Sequence, residues 1–292
     1  MRKMKAKKVN KMAHYSLLRY PGGKGKMYLQ TLKILEDNDL LGCTYIEPFA
    51  GGGNLALNLL FRGKVDSIIL NDNDPAIYSV WASILFYGNE FIELIKNTPI
   101  TLEERDRQKQ IYLNKPNDVL ALGFSTFYLN RTNRSGIITA GPIGGYSQKG
   151  NYLIDCRFNK EKLIQRVETI LKYKEKIQIF DFDAKDFLEL NFHKNSFFFI
   201  DPPYYVKGSQ LYRNYFKKSD HEELAKKVEN LDYPWIVTYD NVDDIISIYE
   251  FCNHFEYNLT YTIEKKYKGS EVLFYKHGLS IEMLNSKSNI TG

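Results

Sequence analysis

Residues 197–205 read Phe-Phe-Phe-Ile-Asp-Pro-Pro-Tyr-Tyr and hold the most specific chemistry in the chain. Phe197–Ile200 reads as a short buried strand with Asp201 at its carboxyl end. Pro202 and Pro203 fix the backbone there and withhold their N–H donors, which leaves carbonyl acceptors. Tyr204 adds a flat face. In an open α/β sheet, ligands bind just beyond the carboxyl ends of the strands. Acceptors for an exocyclic amine beside a ring to stack on suit a nucleobase swung out of its helix. Asp201, Pro202, Pro203 and Tyr204 are therefore the candidate catalytic residues.

A second constellation lies near the start of the chain. Gly51-Gly52-Gly53 stands where a strand gives way to a helix, so a ligand can approach the backbone closely. Helix amides beyond it favour an anion. Asp72 follows Gly53 by 19 residues, at the end of the next strand, where an acid can grip ribose hydroxyls. A tight turn and a helix-capping acid would look the same locally. Taken together, the two features predict a nucleotide-type cofactor. The loop matches neither G-x-G-x-x-G nor the phosphate loop G-x-x-x-x-G-K-[ST]. Upstream, Arg19-Tyr-Pro-Gly-Gly-Lys24 is a basic loop that could hold a carboxylate or phosphate.

The elements that must position these residues are legible. Residues 44–50 predict a strand, 54–61 a helix, 67–70 a strand and 76–87 a helix. This βαβα start signals a parallel sheet. Ile177–Phe182, Phe197–Ile200 and Trp235–Thr238 continue it. Asp220 is expected to cap a helix over 221–230. Leu259–Glu264 and Val272–Lys276 predict a closing hairpin turning at Lys268-Gly269-Ser270.

Residues 88–175 break the alternation. Thr101-Leu-Glu-Glu104 is a capping box opening a polar helix that ends before Pro116. Asp118 to about Leu129 predicts an apolar helix. Glycine and proline in 130–146 predict an exposed loop. Asn159 starts another helix, with Leu163, Ile164, Val167, Ile170 and Leu171 on its buried side. The segment reads as a helical insertion carrying a protruding loop.

Composition bounds the rest. The 292 residues are 43% hydrophobic and 14% aromatic, with a net charge of +5, which permits a polyanionic partner without requiring one. Arg2, Lys3, Lys5, Lys7, Lys8 and Lys11 make residues 1–14 a basic tail expected to be disordered. Residues 281–292 read as a polar tail. Lys207, Arg213, Lys217 and Lys218 form an acid-free run directly after the Asp-Pro-Pro-Tyr segment, a basic wall beside the pocket. The three widely spaced cysteines argue against a zinc site or disulfide framework. No apolar run is long enough to span a membrane, and no signal peptide is evident. The expected compartment is the cytoplasm.

In order, Tyr20-Pro-Gly-Gly-Lys24, Glu47-Pro-Phe-Ala-Gly-Gly-Gly53, Asn71-Asp72, Phe127-Tyr-Leu-Asn-Arg-Thr-Asn-Arg-Ser-Gly136 and Asp201-Pro-Pro-Tyr204 resemble the Dam-like (D12 class, alpha group) DNA adenine-N6 methyltransferases. The resemblance spans about residues 17–276. It implies a Rossmann-like α/β methyltransferase sheet with a C-terminal β-hairpin and S-adenosylmethionine as cofactor. The catalytic domain would be 15–87 plus 176–280, and 88–175 an inserted target-recognition domain. It also implies roles. Tyr20, Lys24, Phe49, Gly51, Gly53, Asp72, Phe182, Asp183 and Asp201 would contact the cofactor. Asp201 to Tyr204 would be the catalytic tetrad. Arg131, Asn133 and Arg134 would face DNA, and Lys149, Lys207 and Arg213 join them as DNA-binding candidates. Tryptophan is common in the family where Tyr20 stands. The partner implied is double-stranded DNA, with a cognate restriction endonuclease open, and the chain is expected to act as a monomer.

Other readings stay open at this point. A cytosine-N4, RNA-adenine or protein-glutamine methyltransferase would share much of the pattern, although Asp201 favours adenine. A catalytically silent nucleic-acid-binding module would leave Asp201, Asp72 and the glycine loop without a purpose. A nicotinamide-dependent oxidoreductase would leave Asp-Pro-Pro-Tyr idle.

Overall fold

A computed structural model describes residues 13–19, 27–205, 216–262 and 266–282, apart from the side chains of 258–262 and 266–269. Strands β1 (Thr44–Glu47), β2 (Ser67–Asn71), β3 (Ile177–Phe180), β4 (Ser196–Ile200), β5 (Trp235–Asp240), β6 (Asn253–Thr262) and β7 (Lys266–Tyr275) form one seven-stranded sheet in the order 3-2-1-4-5-7-6. The first five run parallel, and β7 lies antiparallel between β5 and β6. This is the expected doubly wound α/β sheet with a terminal hairpin.

Alternation along β4 shows how apolar sequence becomes two faces. Phe197 and Phe199 join one core while Phe198 and Ile200 join the other, and all four are fully buried. Successive strand residues point to opposite faces, so a strand covered on both sides must be apolar throughout. Each such side chain contributes roughly 1.5–3 kcal/mol on burial. On the first face lie α1 (Tyr28–Asp37), α2 (Asn54–Phe61) and α3 (Pro75–Phe86). On the second lie α8 (Ala184–Phe187), α9 (Lys218–Glu229) and α10 (Asp243–Ile248).

Segment 88–175 is helical: α4 (Gly88–Asn97), α5 (Leu102–Asn114), α6 (Val119–Thr132) and α7 (Lys160–Lys172). A small cluster of Tyr112, Leu122 and Leu129 closes on Ala76 of α3, but the larger apolar residues join the main core. Phe91, Phe124, Phe127, Phe158 and Val167 belong to the same cluster as α2 and α3. Helix α6 lies against α3, where Gly123 permits the approach. A Cβ there would stand 2.3 Å from the Ser79 carbonyl oxygen. The Ser83 hydroxyl donates to the Val119 carbonyl at 3.0 Å. With Val119 beside Ser83 and Gly123 beside Ser79, the two helices run antiparallel. The end of α6 therefore meets the start of α3, at the carboxyl edge of the sheet.

Thr101, Asp118 and Asn159 each cap the helix they open. The Glu104 carboxylate, however, accepts from Arg107 and Gln108 rather than closing a capping box. Asp220 sits inside α9, not before it, and accepts from the Lys217 amide at 2.8 Å, so the helix opens at Lys218. The hairpin does not turn at Lys268–Ser270. Those residues lie within β7 and pair with Thr260, Leu259 and Asn258. Ten-residue pairing over the full ribbon outweighs the local turn preference of glycine and serine. At the ends, Ala13 exchanges hydrogen bonds with Asn58, and the Glu282 carbonyl accepts from Gln30. The rest of the two expected tails, 1–12 and 283–292, lies outside the described residues.

Candidate active site

The chain passes from β1 outward to β2 and β3, then returns to place β4 on the other side of β1. Such a reversal opens a crevice at the carboxyl ends of the two central strands. Glu47-Pro-Phe-Ala-Gly-Gly-Gly53 leaves β1 there, and Asp201-Pro-Pro-Tyr204 leaves β4.

Three neighbouring side chains hold the β4 segment. The Thr238 hydroxyl donates to Asp201 Oδ1 at 2.7 Å. The Tyr205 amide donates to Asp240 Oδ1 at 2.9 Å. The Tyr204 hydroxyl donates to Glu271 Oε1 at 3.2 Å, and Tyr257 donates to Glu271 Oε2 at 2.7 Å. Glu271 is only 5% exposed. Its carboxyl is pushed up to about 7, chiefly by burial. The tyrosine bonds oppose that rise, and the charges of Asp201 and Asp240 add to it. Thr238, Asp240, Tyr257 and Glu271 were not signalled by any motif. Thr238 and Asp240 arrive because β5 runs parallel beside β4, with Val237 opposite Ile200; Glu271 and Tyr257 arrive because β7 pairs antiparallel with β5, bringing Glu271 opposite Asp240, and β6 brings Tyr257 opposite Glu271.

The glycine loop is fastened to β2 and α3. The Gly51 amide donates to Asp72 Oδ2 at 2.8 Å, and Trp81 Nε1 donates to the Gly51 carbonyl at 3.0 Å. Gly53 has φ 56° and precedes α2. A Cβ there would sit 2.6 Å from the Trp81 ring, so only glycine fits. Asn71 stitches three strand ends together, donating to the Pro48 and Phe182 carbonyls and accepting from the Phe182 amide. Ala50, Asp72, Tyr78, Trp81 and Phe180 line a shallow depression here. Phe182 stacks on Phe180 and is 43% exposed. Phe49 packs on Phe216 with ring centroids 5.8 Å apart. Asp183 caps α8 by accepting from the Lys185 amide at 2.9 Å. Tyr20 and Lys24 lie outside the described residues.

The loop after α6 folds back on itself: the Arg134 amide donates to the Gly141 carbonyl and the Ile143 amide to the Thr132 carbonyl. Arg105, 1% exposed, organises it from beneath. Its guanidinium donates to Asn133 Oδ1 (3.0 Å), the Ala140 carbonyl (2.8 Å), Asp106 (2.7 Å) and the Tyr146 hydroxyl (3.1 Å). Asn133 is fully buried and also donates to the Ile138 carbonyl. Its side chain is thus engaged in building the loop. Arg131 is 7% exposed, while Arg134 and Lys149 stand in solvent. Lys207 and Arg213 lie outside the described residues. Sequence reasoning did not single out Arg105; a lone cation in a polar helix carries no signal of burial.

No helix among the described residues is long and apolar enough to cross a membrane. Two crystal structures of lower similarity cover most of the chain. The rRNA methyltransferase AviRa from Streptomyces viridochromogenes is 11% identical with TM-score 0.42, over 93% of this chain and 94% of that one. The precorrin-6y C5,15-methyltransferase from Geobacter metallireducens is 12% identical with TM-score 0.37, over 87% and 89%. The curated Type II methyltransferase M.MjaIII of Methanocaldococcus jannaschii is 25% identical over 236 residues, or 74% of this chain and 79% of its own. The family model for D12 class N6 adenine-specific DNA methyltransferase matches residues 20–264, from the basic loop to the last hairpin. The chain is a DNA adenine methyltransferase and belongs to that D12 class.

Proposed function

We propose that the crevice between β1 and β4 transfers a methyl group to N6 of an adenine swung out of duplex DNA. The observation that carries this reading is the anchored Asp201–Tyr204 segment at the point where strand order reverses. The residues present fit S-adenosylmethionine. The loop at Gly53 excludes a side chain, Asp72 borders the depression beside it, and Phe182 presents an exposed ring stacked on Phe180, which lines that depression. When bound, that cofactor supplies an electrophilic methyl.

The protein's own residues do the rest. Asp201 and the Pro202 carbonyl accept the N6–H bonds. This draws the nitrogen lone pair out of conjugation with the ring and fixes its direction, which is worth a large part of the barrier. Tyr204 stacks on the extruded base, a contact worth about 1–3 kcal/mol. Its hydroxyl, tied to Glu271, sets the tilt of the ring. N6 becomes acidic after transfer, and water or Asp201 removes the proton. Gly51, Gly53, Phe49, Asp72, Phe182 and Asp183, with Tyr20 and Lys24, form the cofactor side. Residues 15–87 and 176–280 act as the catalytic unit and 88–175 as the target-recognition unit. Arg134, Lys149, Lys207 and Arg213 face DNA. The protein works as a cytoplasmic monomer, alone or alongside a restriction endonuclease.

The test is Asp201→Ala. It should lower methyl transfer by at least about 10²–10³-fold, as removal of a single polar stabilising group does elsewhere. Calorimetry should show S-adenosylhomocysteine still binding and the melting temperature little changed. Near wild-type transfer by this variant would refute the assignment.

A further inference from the structure

Arg131 is the odd residue of the Asn-Arg-Thr-Asn-Arg segment. It stands in the last turn of α6 and is 7% exposed, yet its Nε and Nη2 are buried and meet no hydrogen-bond partner. Burial pushes the guanidinium down to about 9, and the positive charges of Arg166, Arg19 and Arg157 push the same way. Among the described residues none of these four arginines is paired with a carboxylate. A buried cation without a counter-charge is one of the costliest arrangements a fold can keep. A bound anion would offset that cost.

The surroundings give the cluster a place and a graded entrance. Arg19 Nη1 donates to the Asn133 carbonyl at 3.1 Å, and Arg166 Nη1 donates to the Ser16 carbonyl at 2.8 Å. Asn130, next to Arg131, clasps the Arg19 backbone at both its amide and its carbonyl. A few residues earlier, the Tyr15 and Ser16 amides donate to Asn54 Oδ1, and Asn54 follows Gly53 directly. The strip 15–19 thus runs from the glycine-loop helix to the end of α6. Arg131 is buried, Arg19 and Arg166 are half-buried, and Arg157 is exposed. The cluster lies on the carboxyl edge of the sheet, the same edge as the glycine loop.

We propose that Arg131, with Arg19 and Arg166, forms an oxyanion subsite on this edge, receiving a carboxylate or phosphate borne by a ligand of the site. Two ligands carry one there: the cofactor through its methionine carboxylate, and DNA through a backbone phosphate. Naming these two sources rests on the methyl-transfer reading; the oxyanion chemistry rests on the arginines alone. A guanidinium presents a planar fork of donors that matches either group.

Arg131→Met keeps the volume and removes the charge. The ligand-free variant should melt at or above the wild-type temperature, whereas an arginine that merely braced the fold would leave it melting several degrees lower. Sodium sulfate should stabilise the wild type more than the variant at matched ionic strength. Calorimetry then separates the sources. If the carboxylate is received, S-adenosylhomocysteine loses tenfold or more in affinity for the variant. 5′-Methylthioadenosine, which lacks the amino-acid end, does not. If a phosphate is received, the salt dependence of duplex binding falls by about one unit of slope. Equal sulfate response, equal ligand affinities and an equal salt slope would overturn the subsite. So would a variant that melts several degrees lower. A wild type that responds selectively to sulfate but binds neither cofactor nor DNA would keep the subsite and sink the methyl-transfer reading.

Discussion

The two ends of the crevice treat charge in opposite ways. At the β4–β5–β7 end, three acids crowd together, and Asp201, Asp240 and Glu271 each accept from a named neighbour. At the α6 end, four arginines gather, and the most buried of them has no partner. Arg105 sharpens the contrast, being more buried than Arg131 yet donating to four groups. Burial alone therefore does not explain Arg131. The acid end is complete as folded and can act as a rigid template. The arginine end is completed by what it binds.

Breaking the satisfied arginine should have the largest effect on stability. Arg105→Ala leaves Asn133, the Ala140 carbonyl and Tyr146 without their donor, and should cost about 3 kcal/mol or more in urea unfolding. Duplex affinity should fall with it, while S-adenosylhomocysteine affinity holds. An unfolding midpoint like that of the wild type would show that the loop stands without Arg105.

The acid end is tested by pH. Glu271 titrates near 7 in the fold, against an ordinary value of 4.5. The folded chain therefore holds a proton in that interval that the unfolded chain has released. The contribution of Glu271 to stability falls as pH rises from about 4.5 to 7, by up to about 3 kcal/mol, and levels off above. Glu271→Gln removes that contribution, so the difference between wild type and variant should change sharply between pH 5 and pH 8. A difference independent of pH would mean that Glu271 is ionised throughout.

A smaller effect is expected at the cofactor rim. Phe182→Ala removes an exposed ring and should weaken S-adenosylhomocysteine by about 1–3 kcal/mol with little change in melting temperature. Unchanged affinity would remove Phe182 from the cofactor side. The smallest change belongs to Arg134→Ala. That side chain is exposed, so folding should be untouched. If it reads guanine, sequence choice should relax by about 1–3 kcal/mol. If it meets phosphate, only the salt slope should fall, by about one.

The parts of the site legible in the sequence are those made by consecutive residues. Asp201-Pro-Pro-Tyr204, the Gly51–Gly53 loop and Asn71-Asp72 each stand at or just beyond the carboxyl end of a strand, and strands and helices were readable from alternation and caps. The residues that hold Asp201 and Tyr204 were not legible. Thr238 and Asp240 meet the β4 segment only through the register of β4 against β5, and Glu271 through that of β5 against β7, and nothing local to either stretch announces those registers. Nor did the sequence show that Arg131 and Asn133 are buried. Helix α6 is apolar on most sides and wedges against α3, so its last polar turn is carried inward. A turn at Lys268–Ser270 was expected because glycine and serine favour turns, but long-range pairing decided the matter.

The identity of the methylated atom decides what this site does. The purified protein, S-adenosylmethionine and mixed-sequence duplex DNA can be incubated, and the digested nucleosides separated by mass spectrometry against authentic standards. N6-methyladenine is the expected product, absent when Asp201→Ala replaces the wild type. N4-methylcytosine as the product, or N6-methyladenine made equally well without Asp201, would contradict it.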